Sequence, residues 1–231
     1  MNDNHHRIGR FTRSRLLSAR LERSLLLGHA KMVDWLLDQG GEQLARKSHQ
    51  LPPLLAAIRP AGAHKTDPIR EHMVHRLLDA GADPNASFGG ISPLLLAASH
   101  GTVTIIELLL TANADAHAKD YQGRNALHHA AEANQPRAVV IRLLTAEIEI
   151  DTEDLHSGLT PLGIYARHHN LQACRALLAA GADPNARLSP LDISPREAAN
   201  SIESRTMVGI LEEHCQTAQR KLGAGAPKSD R

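Results

Sequence analysis

The six residues Gly81-Ala82-Asp83-Pro84-Asn85-Ala86 return unchanged at Gly181-Ala182-Asp183-Pro184-Asn185-Ala186. Between them stand two worn copies. One is Asn113-Ala114-Asp115-Ala116-His117-Ala118, and the other, with less identity, is Glu147-Ile148-Glu149-Ile150-Asp151. Start to start, the intervals are 32, 34 and 34 residues. Self-similarity at such a period marks a repeat architecture, in which each unit buries its apolar face against its neighbours.

A paired-Leu segment precedes each loop: Leu77-Leu78, Leu109-Leu110, Leu143-Leu144 and Leu177-Leu178, with Leu36-Leu37 as an earlier instance. In Thr102–Leu110, Ile105, Ile106, Leu109 and Leu110 recur at helical spacing and form one apolar stripe. Further upstream lies a second apolar segment, often opened by a polar residue and Pro, as at Ser92-Pro93 and Thr160-Pro161. The polar side chain can cap a free backbone N–H, and Pro fits the first turn because its missing N–H costs nothing there. Gly81 and Gly181 end the second helix, since glycine takes a positive φ without steric cost. Asp83 and Asp183 are expected to accept turn N–H groups locally. The unit is helix, short turn, helix, extended loop.

This pattern resembles the ankyrin repeat. The matching text is TPL-x-x-x-A at 160–166, ALH-x-A-A at 126–131, PLLLAA-x-x-G at 93–101, GHAKMVDWLL at 28–37 and the two GADPNA loops. The resemblance covers roughly residues 14–215 and implies an all-α repeat solenoid of about six helix–turn–helix units with projecting hairpin loops. Four inner units, about 47–87, 88–121, 122–155 and 156–188, lie between two degenerate caps at about 14–46 and 189–215. Residues 1–13 are expected to form a flexible basic arm and 216–231 a flexible tail. The family pattern gives His128 a structural role in hydrogen bonding between neighbouring loops and helices, and Thr160 the opening position of its unit. Two departures stand out. From Pro53 to Gly81 the second unit runs about eight residues longer than its neighbours, which places an insertion within 59–68, between its two helices. A smaller insertion is expected near Asn134-Gln135-Pro136.

Composition narrows the function classes. The chain has 231 residues, 42% of them hydrophobic and 2% aromatic, and a net charge of +1, so it is not a general polyanion binder. The start, MNDNHHRIGR, lacks the apolar core of a secretory signal. No apolar run approaches the ~20 residues that span a bilayer. A cytoplasmic protein is expected; export without a cleaved signal would leave no mark here. The two cysteines, Cys174 and Cys215, form neither a disulfide framework nor a close metal pair. There is no HExxH, GxSxG or phosphate-loop motif, and adjacent His pairs on a helix do not face one ligand. No catalytic residue, metal or cofactor is expected. Arg7, Arg10, Arg13, Arg15, Arg20 and Arg23, opposed only by Glu22 within 7–23, could touch phosphate or an acidic protein.

The resemblance implies a non-catalytic scaffold or adaptor that binds a protein partner through a concave face and variable hairpin tips. The candidate contact residues are Phe88, Lys119, Tyr121, Gln122, His156 and Arg187 at the tips, with His129 and His168 toward the concave face. Phe88 and Tyr121 are the sharper candidates, because aromatics are scarce in this chain and commonly anchor interfaces. A monomer is the expected state. A secreted bacterial effector that binds or blocks a host protein would carry the same pattern. An enzyme with a site assembled across repeats, and a weak nucleic-acid binder acting through the basic N-terminus, are further alternatives.

Overall fold

The computed structural model describes residues 16–46, 51–60 and 66–184, with isolated positions at 209, 212 and 216. The chain divides into two compact units, Met1–Asp120 and Tyr121–Arg231. The first contains α1 (16–27), α2 (Ala30–Arg46), α3 (Pro53–Ile58), α4 (Asp67–Asp79), α5 (Pro93–His100) and α6 (Val103–Thr111). The second contains α7 (Ala126–Glu132), α8 (Arg137–Leu144), α9 (Pro161–Arg167) and α10 (Leu171–Ala179). The fold is an all-α repeat solenoid of helix–turn–helix units. Like helices pack on like. In the first unit α2 lies on α4, α4 on α6, and α3 on α5; in the second α7 lies on α9 and α8 on α10.

The short first helices begin where the sequence places them. Ser92 and Thr160 accept N–H bonds from Leu95 and Gly163, each at 3.3 Å, and Pro93 and Pro161 occupy the first turn. Asn125 does the same for α7, accepting from His128 N–H at 3.2 Å. Ala56-Ala57, Ala97-Ala98 and Ala130-Ala131 are fully buried, so the backbones of adjacent first helices approach closely. The second helices bury Met73, Val74 and Leu77, then Ile105, Ile106 and Leu109, and in the second unit Val139, Val140 and Leu143.

The paired leucines have a backbone role as well as an apolar one. At the end of α4 the Leu77 carbonyl accepts from Ala82 N–H and the Leu78 carbonyl from Gly81 N–H, both at 2.9 Å. Leu109-Leu110 and Leu177-Leu178 repeat this pair of bonds with Ala114 and Asn113, and with Ala182 and Gly181. This is the Schellman closure, and it needs a left-handed residue after the helix. Gly81 (φ 82°) and Gly181 (φ 102°) supply it, and so do Asn113 (φ 65°) and Glu147 (φ 55°) in the worn copies.

Both expected irregularities are present. The chain from Arg59 to Thr66 connects α3 to α4, with 61–65 outside the described residues. Pro68 opens α4 rather than interrupting a helix. Near Pro136 the extra length is one residue: α8 starts eleven positions after α7, whereas α6 and α10 start ten after α5 and α9. Arg70 of α4 is buried beside the larger insertion. One guanidinium nitrogen donates to the Ile58 carbonyl at 2.9 Å and to the His100 carbonyl at 2.5 Å, while the other engages the Asp67 carboxylate. One side chain thus holds the C-terminal ends of α3 and α5 together.

Candidate protein-binding surface

Phe88, Lys119, Tyr121, Gln122 and His156 sit on loops held by hydrogen bonds of their own. In the first unit Phe88 and Ile91 exchange backbone bonds of 3.0 and 3.1 Å across Gly89 and Gly90. Both glycines have positive φ, 60° and 79°, as a two-residue hairpin turn of the primed type demands. Phe88 is left 57% exposed at this tip. Lys119 is also exposed.

In the second unit two successive tips are joined. The Leu155 N–H donates to the Gln122 carbonyl at 2.9 Å. Tyr121, 83% exposed, and Gln122 therefore stand beside Leu155, 74% exposed, and His156, also exposed. Gly123 lies under the Leu155 side chain; a Cβ there would come within 3.1 Å of Leu155 Cγ. The loop carrying Leu155 and His156 is organised by Asp154, which is 5% exposed. Its carboxylate accepts the His156 N–H at 2.8 Å and the Ser157 hydroxyl at 2.9 Å, and Gly158 N–H donates to its carbonyl at 2.7 Å. His129 on α7 is half-buried and His168, at the end of α9, is exposed. Arg187 lies outside the described residues, as do the arm 1–13, the tail 217–231 and all but isolated positions of the last expected unit.

The repeat positions do scaffold work. Asp83 accepts the Asn85 N–H at 2.9 Å, a local turn as expected. Asn85 reaches the next loop: Asp115 N–H donates to Asn85 Oδ1 at 2.8 Å, and Asn85 Nδ2 donates to the Asn113 carbonyl at 3.2 Å. Asp183 is tied in the same way, its N–H donating to the Asp151 carboxylate at 3.1 Å. His128 is fully buried and bridges two repeats of its unit. Its Nε2 lies 3.2 Å from the Leu159 carbonyl, which can only accept, so that nitrogen carries the proton. Nδ1 faces Asn125, 3.4 Å from its backbone N–H and 2.8 Å from its Oδ1. Burial lowers its pKa to about 4, so the ring is neutral at physiological pH.

Sequence reasoning did not find Leu155, Asp154 or Arg70. A leucine reads as core, and an acid or an arginine between apolar segments reads as solvated; neighbouring chain reverses all three. No group of three or more His, Cys, Asp and Glu side chains among the described residues is placed to hold a metal ion. Cys174 is buried and its thiol is pushed up to about 12 by burial, which removes the thiolate needed for nucleophilic chemistry. Among the described residues no helix is long and apolar enough to cross a membrane.

The decisive comparison is with the family model for ankyrin repeats (3 copies), which matches residues 63–154 and, overlapping them, 94–188. The chain belongs to the ankyrin-repeat family. Among its relatives, the ankyrin repeat protein nuc-2 of Neurospora crassa is 33% identical over 163 residues, which is 68% of this chain and 14% of nuc-2. The ankyrin repeat domain-containing protein SAT10 of Stachybotrys chartarum is 31% identical over 72% of this chain and 8% of its own length. A putative ankyrin repeat protein of Rickettsia felis is 37% identical over 34% of this chain and 20% of its own. The chain thus spans a small part of each relative. Ankyrin-repeat proteins are typically non-catalytic scaffolds, and a general role in protein–protein interaction is consistent with this repeat.

Proposed function

We propose that this ankyrin-repeat chain is a binding scaffold that holds a protein partner on its loop tips and on the first-helix side of its repeats. The observation that carries this reading is the Tyr121–Leu155 pair. Two large apolar side chains stand exposed on loops joined by a backbone hydrogen bond and stiffened by Asp154. Exposed apolar groups on a rigid frame suit an interface anchor, because little entropy is lost when they are covered. Phe88 supplies a comparable anchor in the first unit, on a hairpin set by two glycines. In the second unit Gln122, His129, His156 and His168, and in the first Lys119, would supply polar contacts beside these anchors, and Arg187 is a candidate contact from the sequence.

The test is recovery of a partner from native lysate, its identification by mass spectrometry, and measurement of its affinity for the purified chain. Joint Tyr121→Ala and Leu155→Ala replacement should weaken binding by tenfold or more, about 1.4 kcal/mol, with the melting curve unchanged. Phe88→Ala is made alongside to read the first unit separately. Full affinity in both variants would sink the tip reading.

A further inference from the structure

The basic stretch singled out in the sequence ends on a structured groove that the loop tips do not use. Helix α1 and the start of α2 border an open groove of about 580 Å³. Its cationic lining is Arg20 and Arg23, both exposed, with exposed His29 beside them, and its apolar lining is Leu27 and half-buried Met32. Ser24 also lines it, although the residue as a whole is only 5% exposed, and its hydroxyl makes no hydrogen bond to another described residue. No carboxylate is among the described residues that border the groove. Neither Arg20 nor Arg23 is engaged in a salt bridge among the described residues, whereas the acids of α2, Asp34 and Asp38, are taken by Arg76 of α4. Cations gathered without counter-charge repel one another, and an anion between them relieves that repulsion.

The spacing carries the argument further. Leu16, Arg20, Arg23 and Leu27 follow at intervals of four, three and four residues, which puts them on one stripe of α1. Leu16 is 71% exposed and Leu27 42% exposed, so the two arginines are flanked by apolar side chains about 16 Å apart along the helix. A phosphate backbone has no use for those leucines, and no described residue lining the groove offers an aromatic face on which a base could stack. The preceding residues of this chain are unsuited too, since 1–15 carry Arg7, Arg10, Arg13 and Arg15 against Asp3 alone. We infer that the groove between α1 and α2 docks an acidic segment of a protein partner, with carboxylates on Arg20 and Arg23 and apolar side chains over Leu27 and Leu16. This surface is independent of the loop-tip reading.

The probe is a synthetic helical peptide carrying Leu, Glu, Glu and Leu at the spacing of the α1 stripe, labelled for fluorescence anisotropy and titrated with the full chain at low salt. Wild type is expected to bind. Arg20→Glu with Arg23→Glu should weaken binding at least about tenfold by placing like charges face to face. The same peptide with its two Glu replaced by Lys should recover affinity for that doubly reversed chain. Leu27→Ala should weaken the original peptide several-fold. Arg20→Gln with Arg23→Gln gives the same reading of loss if charge reversal impairs folding. The inference is overturned by absence of peptide binding to wild type, or by peptide binding indifferent to both arginine pairs. It is equally overturned if a single-stranded DNA oligonucleotide binds more tightly than the peptide and ignores Leu27→Ala, which would assign the groove to nucleic acid.

Discussion

Asp151→Asn should make the protein more stable, by an amount that the two bridged loops let us work out. In the first unit Asn85 joins its loop to the next with two bonds: its Oδ1 accepts Asp115 N–H and its Nδ2 donates to the Asn113 carbonyl. Asp151 holds the same place in the worn loop at 147–151, and its carboxylate accepts the equivalent N–H, that of Asp183. A carboxylate has no donor for the carbonyl of Gly181, the counterpart of Asn113. Burial raises the Asp151 pKa most; the Asp183 N–H bond lowers it, and the nearby Asp183 charge raises it again, leaving a net rise. Asparagine restores the missing donor, worth about 1 kcal/mol net. It also removes a like-charge contact that solvent screening limits to about 0.5 kcal/mol. The total, about 1–1.5 kcal/mol, corresponds to a melting rise of ~2–5 °C for a chain of this size.

The pH dependence separates these two contributions. A carboxyl whose folded pKa is raised adds stability that is present below its unfolded pKa, about 3.9, and lost as pH rises through the folded value. Wild type therefore forfeits this contribution at neutral pH, and the Asn variant does not. Thermal melts followed by circular dichroism at pH 4 and pH 7 should show a larger gain at pH 7. Comparing the two proteins at each pH cancels every other titrating group. A variant no more stable than wild type at pH 7, or a gain that is flat across this range, would refute the reasoning.

Two further outcomes follow from buried groups. Tyr165 is fully buried, and its hydroxyl is the buried side-chain polar atom without a hydrogen-bond partner among the described residues, so Tyr165→Phe should raise stability by about 1 kcal/mol in urea unfolding. His128 is held neutral with its pKa lowered to about 4, so the stability it contributes is complete above about 6.5 and is lost as pH falls from there through about 4. That loss amounts to about 3 kcal/mol, and His128→Gln should flatten this part of the stability profile while lowering the plateau above it, as judged by melts from pH 8 to pH 4.

The architecture was legible in the sequence because a repeat prints the same local physics several times. One Ser-Pro or one Leu-Leu pair would decide little. Recurring at a fixed period, they give the caps at Ser92 and Thr160, the apolar helix segment that ends in Leu77-Leu78, and the left-handed residue at Gly81. The exposed apolar side chains of the loop tips were legible in part. Phe88 and Tyr121 could be picked because aromatics are rare in this chain. Leu155 could not, since its exposure depends on a backbone bond to Gln122, one repeat away. Arg70 was hidden for the same reason: the carbonyls of Ile58 and His100 that bury it lie twelve positions before it and thirty after it.

The Arg70 clamp also says where this protein can accept new sequence. By holding Ile58 at one end and Asp67 at the other, Arg70 closes the mouth of the connection between α3 and α4 whatever its length. Once the ends of a connection are pinned, each doubling of its length costs only about 0.6 kcal/mol. Residues 59–66 are thus a graft point, where a recognition peptide or a reporter could be spliced into the second repeat while the helices around it keep their register.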